Sequence, residues 1–222
     1  SGRLKALYDQ EADIPPQKTR LGRLHEMSRH FEGRPGKWDA TVPLKVVYVG
    51  RFANQKRPFL FLHLARRVLR QLGADKVNFT FLGAGALLHE VRRRTRRYKL
   101  DGTITFLPGD APVGDLLRDA HVLVIPSENE GLALVNYEAI RADCVVISAD
   151  VGAQRELTAP ECLLPRAPHA FVSQAAGLIA AMVKGRFDHE AVRARQRAML
   201  ESILAEPSGT EVCLDFYGQA RT

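Results

Sequence analysis

The chain is poor in the residues that would tie it to a disulfide framework, a metal or a membrane. Three cysteines occur in 222 residues, Cys144, Cys162 and Cys213, and their spacing suits neither bridges nor zinc ligation. Cys144 and Cys162 fall in apolar stretches read as buried strands, so reduced core thiols and a cytoplasmic setting are expected. No run of 18 apolar residues and no signal peptide is visible, so neither a membrane span nor export is expected. The seven histidines, at positions 25, 30, 63, 89, 121, 169 and 189, are scattered without ligand spacing. Asp-x-Asp is missing, as are a Gly-x-Ser-x-Gly elbow and a Walker-type glycine loop. Gly83-Ala84-Gly85 follows the second strand pattern rather than the first, and Leu88 stands where a dinucleotide fingerprint needs its third glycine; a dehydrogenase is thereby disfavoured. Repeats and low-complexity tracts are absent as well.

What the chain does have is an ordinary globular balance, 45% hydrophobic and 26% charged, enough for one sizeable core but short for two full α/β domains. From Leu44 onward, apolar runs alternate with amphipathic stretches. Strands are predicted at about 44–49, 77–82, 103–107, 121–125, 144–148 and 161–164. Helices are predicted at about 58–72, 85–97, 112–119, 131–142 and 152–157, then 168–183, 188–204 and 210–219. This alternation implies a doubly wound parallel six-stranded α/β sheet in the order 3-2-1-4-5-6, with ligands at the carboxyl ends of strands 1 and 4. The expected organisation is a linker or domain remnant over 1–42, with short helices at Leu4–Tyr8 and Leu21–Phe31, a Rossmann-like domain over 43–206, and a C-terminal helix over 207–222.

Three strand ends carry candidate chemistry. Strand 1 runs into Gly50-Arg51-Phe52-Ala53-Asn54-Gln55-Lys56, where glycine permits a tight turn and two cations suit a diphosphate; a solvated basic loop is the plainer reading. Strand 2 ends at Gly83, which close packing explains equally well, and strand 3 at Leu107 before Pro108-Gly109. Strand 4 ends at Pro126-Ser127, and Glu130 and Glu138 then bracket a strand-to-helix corner. Glu130 is expected at the helix N-terminus and Glu138 two turns in, on nearly the same face. An N-terminal carboxylate is ordinarily a cap. Two acids about a free helix N-terminus could also hold a ligand with hydroxyls at both ends and phosphates between, met by the amides of Gly131, Leu132 and Ala133. Net charge is +7, densest over Arg92–Lys99. That run fits a solvated helix end, or an anionic surface such as a membrane with a lipid-phosphate acceptor; aromatics are not interleaved as nucleic-acid stacking wants.

Glu130-x7-Glu138, preceded by Pro126-Ser127 and followed by Val151-Gly152 and Glu156, with Gly50-Arg51-x4-Lys56 upstream, resembles the donor half of a retaining GT-B glycosyltransferase of family 4 (glycosyl transferases group 1), over roughly Val46 to Pro165. The resemblance implies a nucleoside-diphosphate sugar as donor, with no cofactor and no metal required. It implies that Gly50, Arg51 and Lys56 bind the diphosphate, that Glu138 binds the ribose hydroxyls and that Glu130 lies against the sugar. Gly83, Leu107, Ser127, Gly131, Leu132 and Ala133 complete the donor site, and Glu130, Arg51 and Lys56 are the catalytic candidates. The acceptor is expected to be a glycan or lipid-linked saccharide brought by an N-terminal lobe that this chain lacks, with a peripheral membrane contact and no nucleic acid; alone, the chain is expected to be inactive. A non-catalytic or regulatory nucleotide-sugar-binding domain and a sugar-nucleotide epimerase are the alternatives. Departures from the family pattern are Ala133 for a usual glycine, His121 for an aspartate, Arg141-Ala-Asp-Cys-Val145 for Ala-Cys-Gly-x-Pro, and Gly152-Ala153 for Gly-Gly.

Overall fold

The computed structural model describes residues 42–131 and 133–219; the short helices expected before residue 42, and Leu132, lie outside them. Six parallel strands form one sheet: β1 Leu44–Val49, β2 Val77–Leu82, β3 Ile104–Leu107, β4 Val122–Ile125, β5 Val145–Ala149 and β6 Leu163–Leu164. Their order is β3-β2-β1-β4-β5-β6, as the alternation predicts. Successive side chains of a strand face opposite ways, so β1 sends Leu44, Val46 and Tyr48 to one core and Val47 to the other. Helices α1 (Pro58–Leu72), α2 (Leu88–Arg97) and α5 (Pro168–Val183) cover the first face. α3 (Val113–Asp119), α4 (Leu134–Arg141) and α6 (His189–Leu204) cover the second, and α7 follows at Gly209–Gln219. Burial on both faces explains why the central strands read as continuous apolar runs. On the α1 side, Tyr48, Phe52, Phe61 and Phe81 pack ring against ring, with centroids 4.8–5.8 Å apart.

Register aligns the carboxyl ends of the first strands: Val49 pairs with Leu82, and Leu82 with Leu107. At the opposite end, His121 joins β1 to β4. Its amide donates to the Lys45 carbonyl at 3.0 Å, and its Nδ1 accepts from the Lys45 amide at 2.9 Å. Burial and the nearby Lys45 charge push this imidazole down to about 4, which keeps the accepting nitrogen unprotonated at neutral pH.

The structure corrects several expected elements. Residues 152–157 do not form an α-helix; they make a single 3-10 turn, Gln154–Glu156. The second helix begins at Leu88 rather than near 85. β6 has two residues, preceded by a 3-10 turn at Pro160–Cys162 that holds Cys162, while Cys144 stands one residue before β5; both thiols are buried, as expected, and burial pushes each up to about 12. Because β6 pairs only with Ser148 and Ala149, the earlier part of β5 is completed by a side chain: buried Gln196 of α6 accepts from the Val146 amide at 3.2 Å.

Where the family pattern has glycine, Asp143 adopts it in conformation, with φ 63°. The Asp143 amide donates to Ile140 and the Cys144 amide to Ala139, the paired bonds of a Schellman C-cap. Asp tolerates this region better than most residues. Here its buried carboxylate also meets Arg193 at 3.5 Å and Arg197, both on α6.

Candidate functional site

A cavity of about 350 Å³ opens at the carboxyl ends of β1 and β4, lined among others by Tyr48, Arg51, Lys56, Ser127, Glu130 and the start of α4. Two loops build it. The first continues β1: the Gly50 amide donates to Leu82 and the Phe52 amide to Ala84, at 3.0 and 2.8 Å, so the β1–β2 zipper outlasts the strands. Gly83 exists for this contact. A Cβ on it would lie 2.0 Å from the Gly50 carbonyl oxygen, and Gly83 is absent from the cavity wall. Gly50 lines the cavity but does not need glycine's freedom, since its φ is not positive and an added Cβ would meet only Tyr48 at 3.6 Å. The sharp reversal falls instead on Arg57, with φ 48°, between the 3-10 turn Asn54–Lys56 and α1.

The second loop, 126–133, is tied to the first. The Glu128 amide donates to the Gln55 carbonyl at 2.8 Å, Gln55 Nε2 donates to the Asn129 carbonyl at 2.9 Å, and Arg57 pairs with Glu128 at 2.9 Å. Behind it, Gly152 (φ 54°) lets the chain pass so close that a Cβ there would sit 1.8 Å from the Glu130 carbonyl oxygen. The Ala153 amide donates to the Gly131 carbonyl at 3.2 Å. Held by that hydrogen bond and by the close passage of Gly152, residues 128–131 stay outside the helix, and α4 begins at Leu134 rather than 131. Glu130 therefore does not sit at the helix N-terminus, and Glu138 lies one turn in rather than two. At the helix start the cavity is lined by Ala133, Leu134 and Val135, shifted from the expected Gly131–Ala133.

Charge in the cavity is arranged as one closed pair and one open cation. Lys56 Nζ meets Glu130 Oε1 at 2.5 Å, and the Glu130 side chain is only 5% exposed against 23% for Lys56. A nearly buried carboxylate with one short, charge-assisted partner is held firmly. Arg51 is exposed, and among the described residues no carboxylate pairs with it. The Tyr48 hydroxyl donates to the Arg51 carbonyl at 2.9 Å; burial, then the Glu130 charge, raises the phenol well above its ordinary value.

Of the residues singled out from sequence, the cavity brings together Gly50, Arg51, Lys56, Ser127, Glu130 and Ala133. Gly83, Leu107, Gly131 and Glu138 lie off its wall, and Leu132 is outside the described residues. Glu138 is half-buried on α4, and burial raises its carboxyl above the usual range. Sequence reading missed Tyr48, Gln55 and Arg57, and missed the pairing of Lys56 with Glu130. Among the described residues no cluster of three His, Cys, Asp or Glu could hold a metal ion, and no helix is long and apolar enough to cross a membrane.

Residues 37–166 match the family model "Glycosyl transferases group 1", more than half of the chain. The Vi polysaccharide biosynthesis protein VipC/TviE of Salmonella typhi is 32% identical over 108 residues, covering 49% of this chain and 18% of its own. D-inositol 3-phosphate glycosyltransferase of Rhodococcus erythropolis is 32% identical over 117 residues, 48% of this chain and 26% of its own. The chain thus spans no more than about a quarter of the curated relatives it matches. Among solved structures, the pneumococcal O-GlcNAc transferase GtfA in complex with UDP and GlcNAc superposes with a TM-score of 0.66 at 16% identity, over 92% of this chain and 44% of that one.

Proposed function

Because the chain belongs to the glycosyl transferases group 1 family and has the fold of a GT-B C-terminal domain, we propose that it is the donor-binding half of a retaining glycosyltransferase. The observation that carries this reading is the convergence of Arg51, Lys56, Glu130 and the start of α4 on one cavity at the switch point of the sheet. The donor's diphosphate meets Arg51, Lys56 and the amides of Leu134 and Val135, where helix N-terminal partial charge adds to that of the cations. Glu138, one turn on, takes the ribose hydroxyls, and Glu130 faces the sugar.

In transfer, the anomeric C–O bond breaks, and the nucleoside diphosphate leaves with the bonding pair. The acceptor hydroxyl bonds to the same face and loses its proton to the departing phosphate. Negative charge grows on the diphosphate, where fixed cations stabilise it. Arg51 is free to do so at once; Lys56 must first exchange Glu130 for phosphate. That exchange releases the Glu130 carboxylate for sugar hydroxyls as the diphosphate seats. The acceptor, a glycan or lipid-linked saccharide, is positioned by a partner lobe, and positioning contributes on the order of 7–11 kcal/mol to such a step. In support, the solved relative GtfA holds UDP and GlcNAc.

Calorimetric titration with UDP, GDP, ADP and CMP tests the reading. One nucleoside diphosphate should bind in the micromolar-to-millimolar range, unaffected by chelator, while labelled nucleotide sugar plus lysate acceptors give no product with this chain alone. Binding of none of the four overturns the donor role, and robust turnover overturns the two-lobed mechanism.

A further inference from the structure

Between residues 58 and 99 stand ten lysines and arginines against two acids, a net +8, whereas the whole chain carries +7. An excess larger than the whole net charge is thus gathered in this stretch, most of it on α1 and α2. α1 contains no acid, and its spacing puts His63, Arg66, Arg67 and Arg70 on one face, at i, i+3, i+4 and i+7. With Tyr98 after α2 and Val172 of α5, that face lines a groove of about 600 Å³. No residue of this groove lines the donor cavity.

Both acids of the stretch are already engaged, Asp75 with Lys76 and Glu90 with Arg93 and Arg94. Among the described residues none pairs with Arg66, Arg67 or Arg70. Stacking fixes one of these guanidinium planes: Arg66 lies 4.1 Å over the Tyr98 ring. A stacked guanidinium keeps its N–H edge free for a bidentate acceptor.

We propose that this groove is a second anion-binding site, separate from the donor cavity, that takes a phosphate-bearing ligand with two or more negative charges. Several guanidinium forks around one concavity need a ligand with several acceptor oxygens, which phosphate esters supply. Single-stranded nucleic acid fits poorly, because stacking needs an open aromatic face and Arg66 covers Tyr98. The large exposed apolar side chains of the described residues, Val42 and Leu214, are not part of the groove, so contact is with the phosphate rather than by insertion. The same chemistry is offered by a soluble phosphorylated compound and by the headgroups of an anionic bilayer.

His63 reports on occupancy. Desolvation, then the positive charges of Arg94 and Arg66, hold its imidazole below the ordinary value. Arg67 and Arg70 of its own helix share the face, Tyr98 lies 6.3 Å away ring to ring, and α5 brings the uncharged Val172. A bound phosphate opposes those cations, so it raises the imidazole and binds more tightly as pH falls through the His63 titration.

The test compares this protein with its triple variant Arg66→Gln, Arg67→Gln, Arg70→Gln. Exposed positions make the variant foldable, and its melting curve checks this. In one arm, NMR follows the His63 titration with and without inorganic pyrophosphate. In the other, co-sedimentation uses vesicles of phosphatidylcholine with or without phosphatidylglycerol. A His63 midpoint raised by roughly one unit in the parent only supports the site with a soluble ligand. Retention on anionic vesicles that falls on the order of a hundredfold in the variant supports it with headgroups. Neither response in the parent, or equal responses in both proteins, overturns it. Pyrophosphate bound in the donor cavity would leave the His63 midpoint unmoved.

Discussion

Two basic regions of this protein handle charge in opposite ways. At the corner between the 50–57 and 126–133 loops, Lys56 and Arg57 each meet a carboxylate, Glu130 and Glu128, supplied by the facing loop. On the outer face of α1, Arg66, Arg67 and Arg70 have none among the described residues. An anion entering the corner meets one open cation, Arg51, and must exchange partners with the pair already made at Lys56, whereas one entering the groove meets only uncompensated charge. The first arrangement favours selectivity and order of binding. The second favours simple attraction, and exposed charge of that kind weakens steeply with added salt.

Substitutions at the corner should test how far its closed pairs set its behaviour. The largest effect is expected from Gly152→Ala: a positive φ and a Cβ 1.8 Å from the Glu130 carbonyl oxygen leave no relaxation that keeps the corner intact. A loss of about 3 kcal/mol or more is expected in urea denaturation, and nucleotide binding should go with it. A stable variant would mean that the 130–131 loop is not held by the Gly152 turn.

Next comes Lys56→Ala, which leaves a 5%-exposed carboxylate without its cation. Wholly buried pairs lose about 3–5 kcal/mol when one partner is removed; with Lys56 partly exposed, about 2–3 kcal/mol is expected. Nucleoside diphosphate affinity should drop by a further ~1.5–3 kcal/mol. An unchanged dissociation constant would remove Lys56 from the diphosphate site.

Glu130→Gln sharpens the comparison by opening the closed pair. Free Lys56 then meets phosphate without exchange, so nucleoside diphosphate should bind about 1–2 kcal/mol more tightly, while transfer by a complete enzyme fails. Weaker binding in calorimetry would show that the ion pair does not oppose the ligand.

The smallest effect is at Glu138. Burial raises its carboxyl in the folded state, so the native protein binds more protons than the unfolded one. Stability is therefore lost as pH rises through the carboxylate range. Glu138→Gln should melt slightly higher than the parent at pH 7.5, with the gap closing toward pH 4, yet should bind nucleotide less well. A gap of the same size at both pH values would contradict the burial effect.

The sheet was legible because its central strands are buried on both faces and therefore read as uninterrupted apolar runs. Sheet order followed from the alternation alone. What could not be read were features set by distant partners. The late start of α4 depends on Gly152 and Ala153, some twenty residues on, and the pairing of Lys56 with Glu130 spans 74 positions. A 3-10 turn at Gln154–Glu156 carries no periodicity long enough to distinguish it from a helix. At 141–145 the glycine of the family pattern is missing, yet Asp143 keeps the left-handed conformation, and the two α6 arginines that hold its carboxylate lie about fifty residues away. The acid pair itself was visible, and its one-turn displacement relative to the helix was not.

Gln196 has a consequence for how the chain can be cut. The match to the family ends at residue 166, which invites treating the rest as an appendage. Yet β6 is too short to cover β5, and a glutamine from α6 takes the Val146 amide in place of a strand. Ending the chain after the matched segment would leave that edge open, flanked by the apolar surface that Phe171, Ile179 and Leu200 now cover. An exposed strand edge beside apolar surface is a template for pairing with another copy. Fragments ending near residue 166 should therefore associate edge to edge and precipitate, and those reaching Leu204 should remain monodisperse.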